Sequence, residues 1–326
     1  MILVTGGMGY IGSHTVVELI KAGYECTIVD DLRNSYNVLD KIEKITGVRP
    51  RFIHWDVCDK YKIFELIKED VQGVIHFAAY KSVPESLSKP LDYYENNITP
   101  VINILKAFQM SGMNNLIFSS SCAVYGDKNK FVDESSEINP MSVYAETKAI
   151  SERIIEKTCN TSKLKAISLR YFNPVGAHGE IGENSKGAPD NLFPVIIETL
   201  KGKREKMFVY GNDYPTADRT CHRDFVHVQD VAKAHVIALE RLIDNQNKTN
   251  YEVFNIGTGF PYSVLSVIKG FESLTGLKVN YEIVGRREGD VASIYANTDK
   301  AEKVLGWKAE KSLHEMIKSA WEYANV

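Results

Sequence analysis

Ile2-Leu3-Val4-Thr5-Gly6-Gly7-Met8-Gly9-Tyr10-Ile11-Gly12 is the stretch that decides the fold. Its first four residues are a continuous aliphatic and β-branched run, the pattern of a parallel strand covered on both faces. The glycines at 6, 9 and 12 then make a GxxGxxG turn, and residues 10 to 22 read as a helix that closes at Gly23. A strand feeding a glycine turn and a helix brings bare backbone N–H groups and a positive helix end to one point. Gly6, Gly9 and Gly12, with Tyr10 and Ile11 opening the helix, are therefore candidates to cradle a pyrophosphate.

Working outward, Glu25 to Val29 reads as the next strand. It leads into Asp30, eighteen residues after Gly12, where a carboxylate can accept hydrogen bonds from an adenosine ribose. Asp30 and Asp31 would repel a 2′-phosphate and so favour NAD, while Arg33 close by leaves NADP open. Arg51 to Trp55, Gly73 to Phe77, Asn115 to Phe118 and Leu164 to Arg170 read as further short strands, with helical patterns near 60 to 69 and 91 to 111. This alternation predicts an α/β protein on a Rossmann-type doubly wound parallel sheet. Ligands in such folds sit outside the carboxyl ends of the strands, so the residues ending each run are site candidates. They are Asp56 with Val57, which could meet an adenine amino group, Phe77 with the small Ala78 and Ala79, and Ser119 to Ser121. Lys81, just beyond, is either a ligand contact or a solvated charge.

Tyr144-Ala145-Glu146-Thr147-Lys148 puts a phenol and an ammonium four residues apart, on one face of a helix. An arbitrary YxxxK match is usually a surface pair, but here it follows a glycine turn and a serine cluster. A free tyrosine titrates near ~10 and is a poor base unless a cation stabilises the phenolate. Lys148 is expected to supply that charge, and Ser121 to hold the same oxygen that Tyr144 deprotonates.

Composition narrows the classes. The chain has 326 residues, 44% hydrophobic and 25% charged, as for a globular protein with one large or two smaller cores. A net charge of −3 with no dense Lys/Arg run argues against nucleic acid or a membrane surface as main partner. The five cysteines are odd in number, scattered and without a CxxC pair, which suits reduced thiols better than disulfides or zinc, so no metal is expected. The start runs directly into a strand without a basic n-region, and no apolar stretch approaches eighteen residues. A cytoplasmic location is the expectation.

Together these motifs resemble the extended short-chain dehydrogenase/reductases, in their nucleotide-sugar branch, and within it the UDP-glucose 4-epimerase family. The runs TGGMGYIGSHT (5 to 15), IHFAAYKSVPES (75 to 86), FSSSCAVYGD (118 to 127), LRYFNPVGAH (169 to 178), FVYGNDYPT (208 to 216), RDFVHVQDVA (223 to 232) and RREGD (286 to 290) carry the resemblance over nearly the whole chain. It implies interconversion of UDP-glucose and UDP-galactose by hydride transfer from C4 to a resident NAD, with Ser121, Tyr144 and Lys148 catalytic and Lys148 also on the nicotinamide ribose. By the resemblance alone, Asn34, Ser35, Asn96 and Phe172 are cofactor contacts. Lys81, Asn173, Asn191 and Leu192 would bind the sugar diphosphate, and Tyr210 would stack on the uracil. Arg223, Arg287 and Asp290 would take the pyrophosphate and ribose, and Ile294 would line the sugar pocket beside the C2 substituent. Tyr210 and Ile294 also read as strand residues of a core.

Beyond Arg170 the periodicity breaks up, and Tyr171 to Thr220 is rich in Gly, Asn, Pro and Asp. The expected division is an NAD-binding domain over 1–173, with 230–258 returning to it, and a smaller α/β UDP-sugar-binding domain over 174–326. The resemblance implies a homodimer. A nucleotide-sugar 4,6-dehydratase is the nearest alternative, but Cys122-Ala123 stand where that chemistry carries a carboxylate pair. A cofactor-sensing regulator is another, against which Ser121, Tyr144 and Lys148 speak.

Overall fold

The computed structural model describes residues 1–67, 70–127, 131–184, 186–187, 189–287 and 290–325. The chain begins as alternating strands and helices: β1 (Ile2–Thr5), α1 (Tyr10–Lys21), β2 (Cys26–Asp30), α2 (Leu39–Thr46), β3 (Arg51–His54), α3 (Lys60–Ile67), β4 (Gly73–His76), α4 (Val83–Ser88), α5 (Pro90–Ser111) and β5 (Asn115–Ser121). The short β6 (Phe131–Val132) precedes α6 (Val143–Thr161) and β7 (Lys165–Tyr171). The remainder runs β8 (Asn173–Val175), β9 (Ala177–His178), β10 (Ile181–Gly182), α7 (Leu192–Leu200), β11 (Met207–Tyr210), β12 (His222–His227), α8 (Val228–Ile243), β13 (Tyr251–Ile256), β14 (Pro261–Ser263), α9 (Val264–Thr275), β15 (Tyr281–Val284), β16 (Ser293–Ala296) and α10 (Leu313–Ala324).

The main sheet has seven strands in the order β13-β7-β5-β4-β1-β2-β3, and each neighbouring pair is parallel. Alternation along each strand splits its side chains between two cores. Ile2, Val4, Ile28, Ile75 and Ile117 pack on one face with α1 and α8 residues such as Val16, Leu19, Val231 and Leu239. Leu3, Val29, Val74, Leu116 and Phe118 pack on the other with Ile63 of α3, Ile104 and Phe108 of α5 and Ile155 of α6. Each such burial contributes roughly 1.5–3 kcal/mol, and together they make the two-sided sheet expected from the continuous apolar runs.

The strand order reverses direction at β1, whose neighbours are β2 and β4. The crevice outside the carboxyl ends of β1 and β4 is therefore the switch point, and the glycine turn lies there. Two differences from the sequence reading have physical causes. β5 continues through the serines, because Ser119, Ser120 and Ser121 stay in register with Leu169, Arg170 and Tyr171 of β7. Leu39–Thr46 is a helix that was not expected, short and anchored by only two buried residues, Leu39 and Ile42.

A second sheet, β14-β12-β16-β6 with β8 beside β12, stands on a separate core that includes Phe193, Ile196, Val209, Phe225, Phe271 and Ile317. Asp224 of β12, fully buried, clamps this region to the main sheet. Its carboxylate accepts from Thr258 N at 2.8 Å, Thr258 Oγ1 at 2.6 Å, Gly259 N at 3.0 Å and Ala296 N at 3.1 Å. Thus the turn after β13 and the strand β16 are held by one side chain. All five cysteine thiols are free. Among the described residues no helix is long and apolar enough to cross a membrane, and no group of His, Cys, Asp or Glu is placed to hold a metal ion.

Four histidines are sealed into this framework. Burial pushes His14 and His76 down to about 3 and His227 and His235 down to about 4. Because the folded values lie below the unfolded ~6.5, the unfolded chain binds protons first as pH falls, so stability is lost from pH ~6.5 downward until the folded values are reached. Each site is expected to cost up to about 2 kcal/mol by pH 5. Thermal unfolding followed between pH 7 and 4 should show a steep fall in Tm; a flat Tm over that range would refute the assignment.

Candidate functional site

At the switch point the glycine turn is packed to the limit of its backbone. Gly6 has φ +70°, and a Cβ there would meet Ala78 N at 2.6 Å across the crevice. A Cβ on Gly12 would collide with Gly6 O, so the turn and helix can approach each other only as glycine. α1 begins after Gly9 with no side-chain cap, which leaves its first N–H groups to a ligand. Asp30, buried at the end of β2, ties this turn down by accepting from Met8 N at 3.0 Å, Leu32 N at 2.9 Å and Ser35 Oγ at 2.9 Å. Burial raises its carboxyl against those bonds. Asp30 Oδ2 carries one of these bonds and keeps lone-pair capacity for a sugar hydroxyl. The donor set, the bare helix end and the backbone cradle fit the dinucleotide that the sequence implies.

The flanking candidates converge on one cation. Arg33 Nη2 lies 2.9 Å from both Asp31 and Asp56, and Nη1 donates to Tyr80 OH at 2.6 Å and reaches Asn96 Oδ1 at 3.4 Å. Asp31 is thus neutralised, and its expected repulsion of a 2′-phosphate is weakened. Burial would raise the Asp56 carboxyl, but Cys58 N–H and Arg33 outweigh it and hold it low. Val57 is a core residue. Ala78 and Ala79 are half-buried at the strand edge. Phe77 lies 4.6 Å from the His235 ring. Asn34 is exposed.

The serine cluster and the YxxxK face meet at the carboxyl end of β5. Ser119 is hydrogen-bonded to Tyr171 OH and Ser120 to Glu152. Ser121 caps the 3₁₀ turn Cys122–Tyr125 through Ala123 N at 3.2 Å and lies near enough to Tyr144 to favour its phenolate. α6 starts at Val143 with Ser142 as its cap, so Tyr144 and Lys148 are both in its first turns. Lys148, buried, donates to Ser119 O at 2.7 Å and lies 5.9 Å from the Tyr144 ring centre.

The electrostatics correct one expectation. The cleft strips water from the Tyr144 phenol and pushes it up to about 12, with Cys122 adding and the Ser121 bond opposing. Lys148 is itself pushed down to about 7 by burial, against the pull of Glu152. Burial, the largest influence on both groups, thus carries the phenol up and the amine down, and the expected lowering of Tyr144 by Lys148 does not prevail.

On the opposite wall, Asn191 precedes α7 and its amide donates to Glu183, which also receives Lys81 Nζ at 3.4 Å. Leu192 opens α7 and packs toward the second core. Asn173 on β8 faces Phe225. Tyr210 on β11 is 40% exposed, which is the ring-available alternative and not the core one. The Arg287 guanidinium lies 5.4 Å from its centre. Asp290 sits between Arg223 at 3.2 Å and Arg287 at 3.0 Å; residues 288 and 289 of the RREGD run lie outside the described residues. Ile294 and Phe172 belong to one small buried cluster with Val124 and Tyr125, which lie in the 3₁₀ turn that follows Ser121. Ile294 thus packs in a core and borders the reactive turn at once.

Sequence reasoning missed Glu183, and it missed Glu152 with Arg170, whose buried pair underlies Ser120. Glu152 was visible as the next step of the Tyr144, Lys148 spacing. Glu183 lies in a glycine-rich stretch without periodicity and gave no signal.

Comparison with known proteins agrees with this geometry. Residues 2–257 match the profile described as Epimerase: NAD dependent epimerase/dehydratase family. The chain is 43% identical over 336 residues to UDP-glucose 4-epimerase of Drosophila melanogaster, covering 99% of this chain and 95% of that protein. It superposes with TM-score 0.96 and 43% identity on a UDP-glucose 4-epimerase of Stenotrophomonas maltophila with bound NAD and formylated UDP-arabinopyranose, over 99% of this chain and 97% of that one. A Bifidobacterium longum UDP-glucose 4-epimerase in complex with NAD+ and UDP matches with TM-score 0.93 and 40% identity, over 99% and 98% of the two chains.

The displaced lysine is directly measurable. In protein with isotopically labelled lysine, the Lys148 amine should titrate near pH 7, read by NMR and assigned with Lys148→Met. A value near the ordinary ~10.4 would refute the buried, weakly compensated setting.

Proposed function

This chain belongs to the NAD dependent epimerase/dehydratase family, and from that premise we propose that it is an isomerase that interconverts UDP-glucose and UDP-galactose in galactose metabolism. The observation that carries the reading is the meeting of Ser121, Tyr144 and Lys148 on the strand edge that also bears the glycine turn. Bound NAD supplies hydride transfer at C4 of the sugar and, in its oxidised form, a positive ring charge. Tyr144 takes the proton of the C4 hydroxyl and later returns it. Ser121 holds that oxygen by a hydrogen bond, and Lys148 orients the nicotinamide ribose. Arg223, Arg287 and Asp290 keep the diphosphate and uridine fixed while the 4-keto sugar turns over, so the second transfer meets the opposite face of C4. We assign residues 1–173, with 230–258, to the dinucleotide and the rest of 174–326 mainly to the UDP-sugar.

Leu91, Ile102 and Met110 on α5 are exposed. They fall on one side of the helix by its period of ~3.6, which supports a helix-paired homodimer. The odd set of free thiols supports a cytoplasmic setting.

Tyr144→Phe is expected to keep its bound NAD and lose about 10²–10⁴-fold in kcat, since the ring stays and the proton acceptor goes. Near-normal turnover in that variant would sink the assignment. Reaction in D2O should leave carbon free of solvent deuterium; label at C5 or C6 would point to the elimination chemistry of a dehydratase instead.

The Ile294 reading is tested by kcat/KM for UDP-galactose and UDP-N-acetylgalactosamine. A rigid β-branched side chain against an acetamido group costs on the order of 1–3 kcal/mol, roughly 5- to 150-fold in favour of the plain sugar. Ile294→Ala should narrow that ratio and Ile294→Tyr widen it. An unchanged ratio in both variants would assign Ile294 to the core alone.

A further inference from the structure

We propose that Arg33 is a latch on the adenosine end of the cofactor site, closing over the bound dinucleotide and setting how long it stays. The proposal rests on the NAD reading above. Its basis is a convergence that no single contact would suggest. Asp31 follows β2, Asp56 follows β3, Tyr80 follows β4 and Asn96 lies on α5, and the Arg33 guanidinium reaches all of them. These segments border the place where the strand ends would receive an adenosine. A planar fork with five donors can serve acceptors in several directions, which a lysine cannot. One exposed ion pair holds little, but a single cation shared between two carboxylates, a phenol and an amide ties four segments together at one point.

The backbone beside it supplies an independent observation. Leu32 has φ +58°, a left-handed conformation that non-glycine residues avoid. Such a residue persists only where its surroundings over-determine it. Here the turn is pinned from both ends, by Leu32 N donating to Asp30 Oδ1 at 2.9 Å and by Lys186 Nζ donating to Leu32 O at 2.6 Å. The left-handed step turns the chain back on itself, so that Arg33 spans the strand ends. Its side chain remains 45% exposed, which leaves a guanidinium face open to stack on an adenine plane. Without the cation, Asp31 and Asp56 would face the same opening with only backbone N–H partners, from Arg33 and Cys58, and their repulsion would loosen the turn over the site.

The test measures exchange of resident NAD against isotopically labelled NAD by mass spectrometry, on wild type, Arg33→Gln, Arg33→Lys and Tyr80→Phe. Arg33→Gln is expected to release NAD about tenfold faster, the equivalent of about 1.4 kcal/mol, and to lose turnover on dilution that added NAD restores. Arg33→Lys, with the charge but not the fork, should fall between, and Tyr80→Phe should show a smaller acceleration. Tyr80→Phe removes only a hydroxyl and tests the same network should Arg33→Gln fail to fold. Wild-type exchange rates in every variant that folds would overturn the latch. Wild-type protein that carries no dinucleotide and takes up none would overturn the cofactor reading itself, and the latch with it.

Discussion

Glu152 sets the phase of the reactive helix. It lies on α6 one helical step beyond Lys148 and two beyond Tyr144, and it is buried. Its carboxylate accepts from Arg170 Nε at 2.9 Å and from Ser120 Oγ, so one anion joins α6 to β7 and β5. Arg170 continues the chain of contacts to Tyr125 OH at 3.0 Å, and Tyr125 to Asn255 on β13 at 2.7 Å. Removing one member of a buried ion pair costs about 3–5 kcal/mol, because the other charge is left unpaired. A rotation of α6 that moved Tyr144 off Ser121 would have to break this network first. The position of the phenol is therefore enforced from below the site as well as by Lys148, which donates to Ser119 O.

The same anion shapes the charge balance above it. Glu152 is the group that pulls the Lys148 amine upward, and burial still holds it at about 7. Burial pushes the Tyr144 phenol up to about 12, so the cleft favours its neutral form. A base of this kind becomes effective when an added positive charge offsets the desolvation that the cleft imposes. An oxidised nicotinamide carries such a charge and a reduced one does not. Bound oxidised dinucleotide would therefore favour proton removal by Tyr144 more than the reduced form would.

The sequence made the first half of the fold legible because its signals are local. A buried parallel strand is a continuous apolar run, and a glycine turn must fall between that strand and its helix, so β1, β2, β4 and β7 could be found within a residue or so of their ends. The YxxxK face was equally readable, since helical spacing alone aligns it. The contacts that organise the site were not, because they are long-range. Arg33 meets Asp56, Tyr80 and Asn96 only after three crossovers bring the strand ends together. The fate of the three serines depends on what β7 and α6 place opposite each one. The second half has short strands in mixed pairing, such as the antiparallel β12 with β14 beside the parallel β12 with β16, and such pairings leave no period in the sequence.

That mixed sheet would also couple the proposed substituent pocket to the proposed phosphate site. Arg223 and Ile294 are far apart in sequence but are register partners on β12 and β16. The next residue of β12, Asp224, binds Ala296 N, two residues beyond Ile294, and so prevents β16 from sliding. Arg223 in turn holds Asp290 and donates to Val291 O at 2.8 Å, on the segment that leads into β16. A larger side chain at 294 cannot be absorbed by a shift of its strand, since the strand is fixed on both sides. It must push outward, toward Phe172 and the turn after Ser121 in the same small cluster. The proposed sugar pocket is thus bounded by a wall that yields little, and its selectivity would follow from the volume of one side chain and not from movement of the backbone.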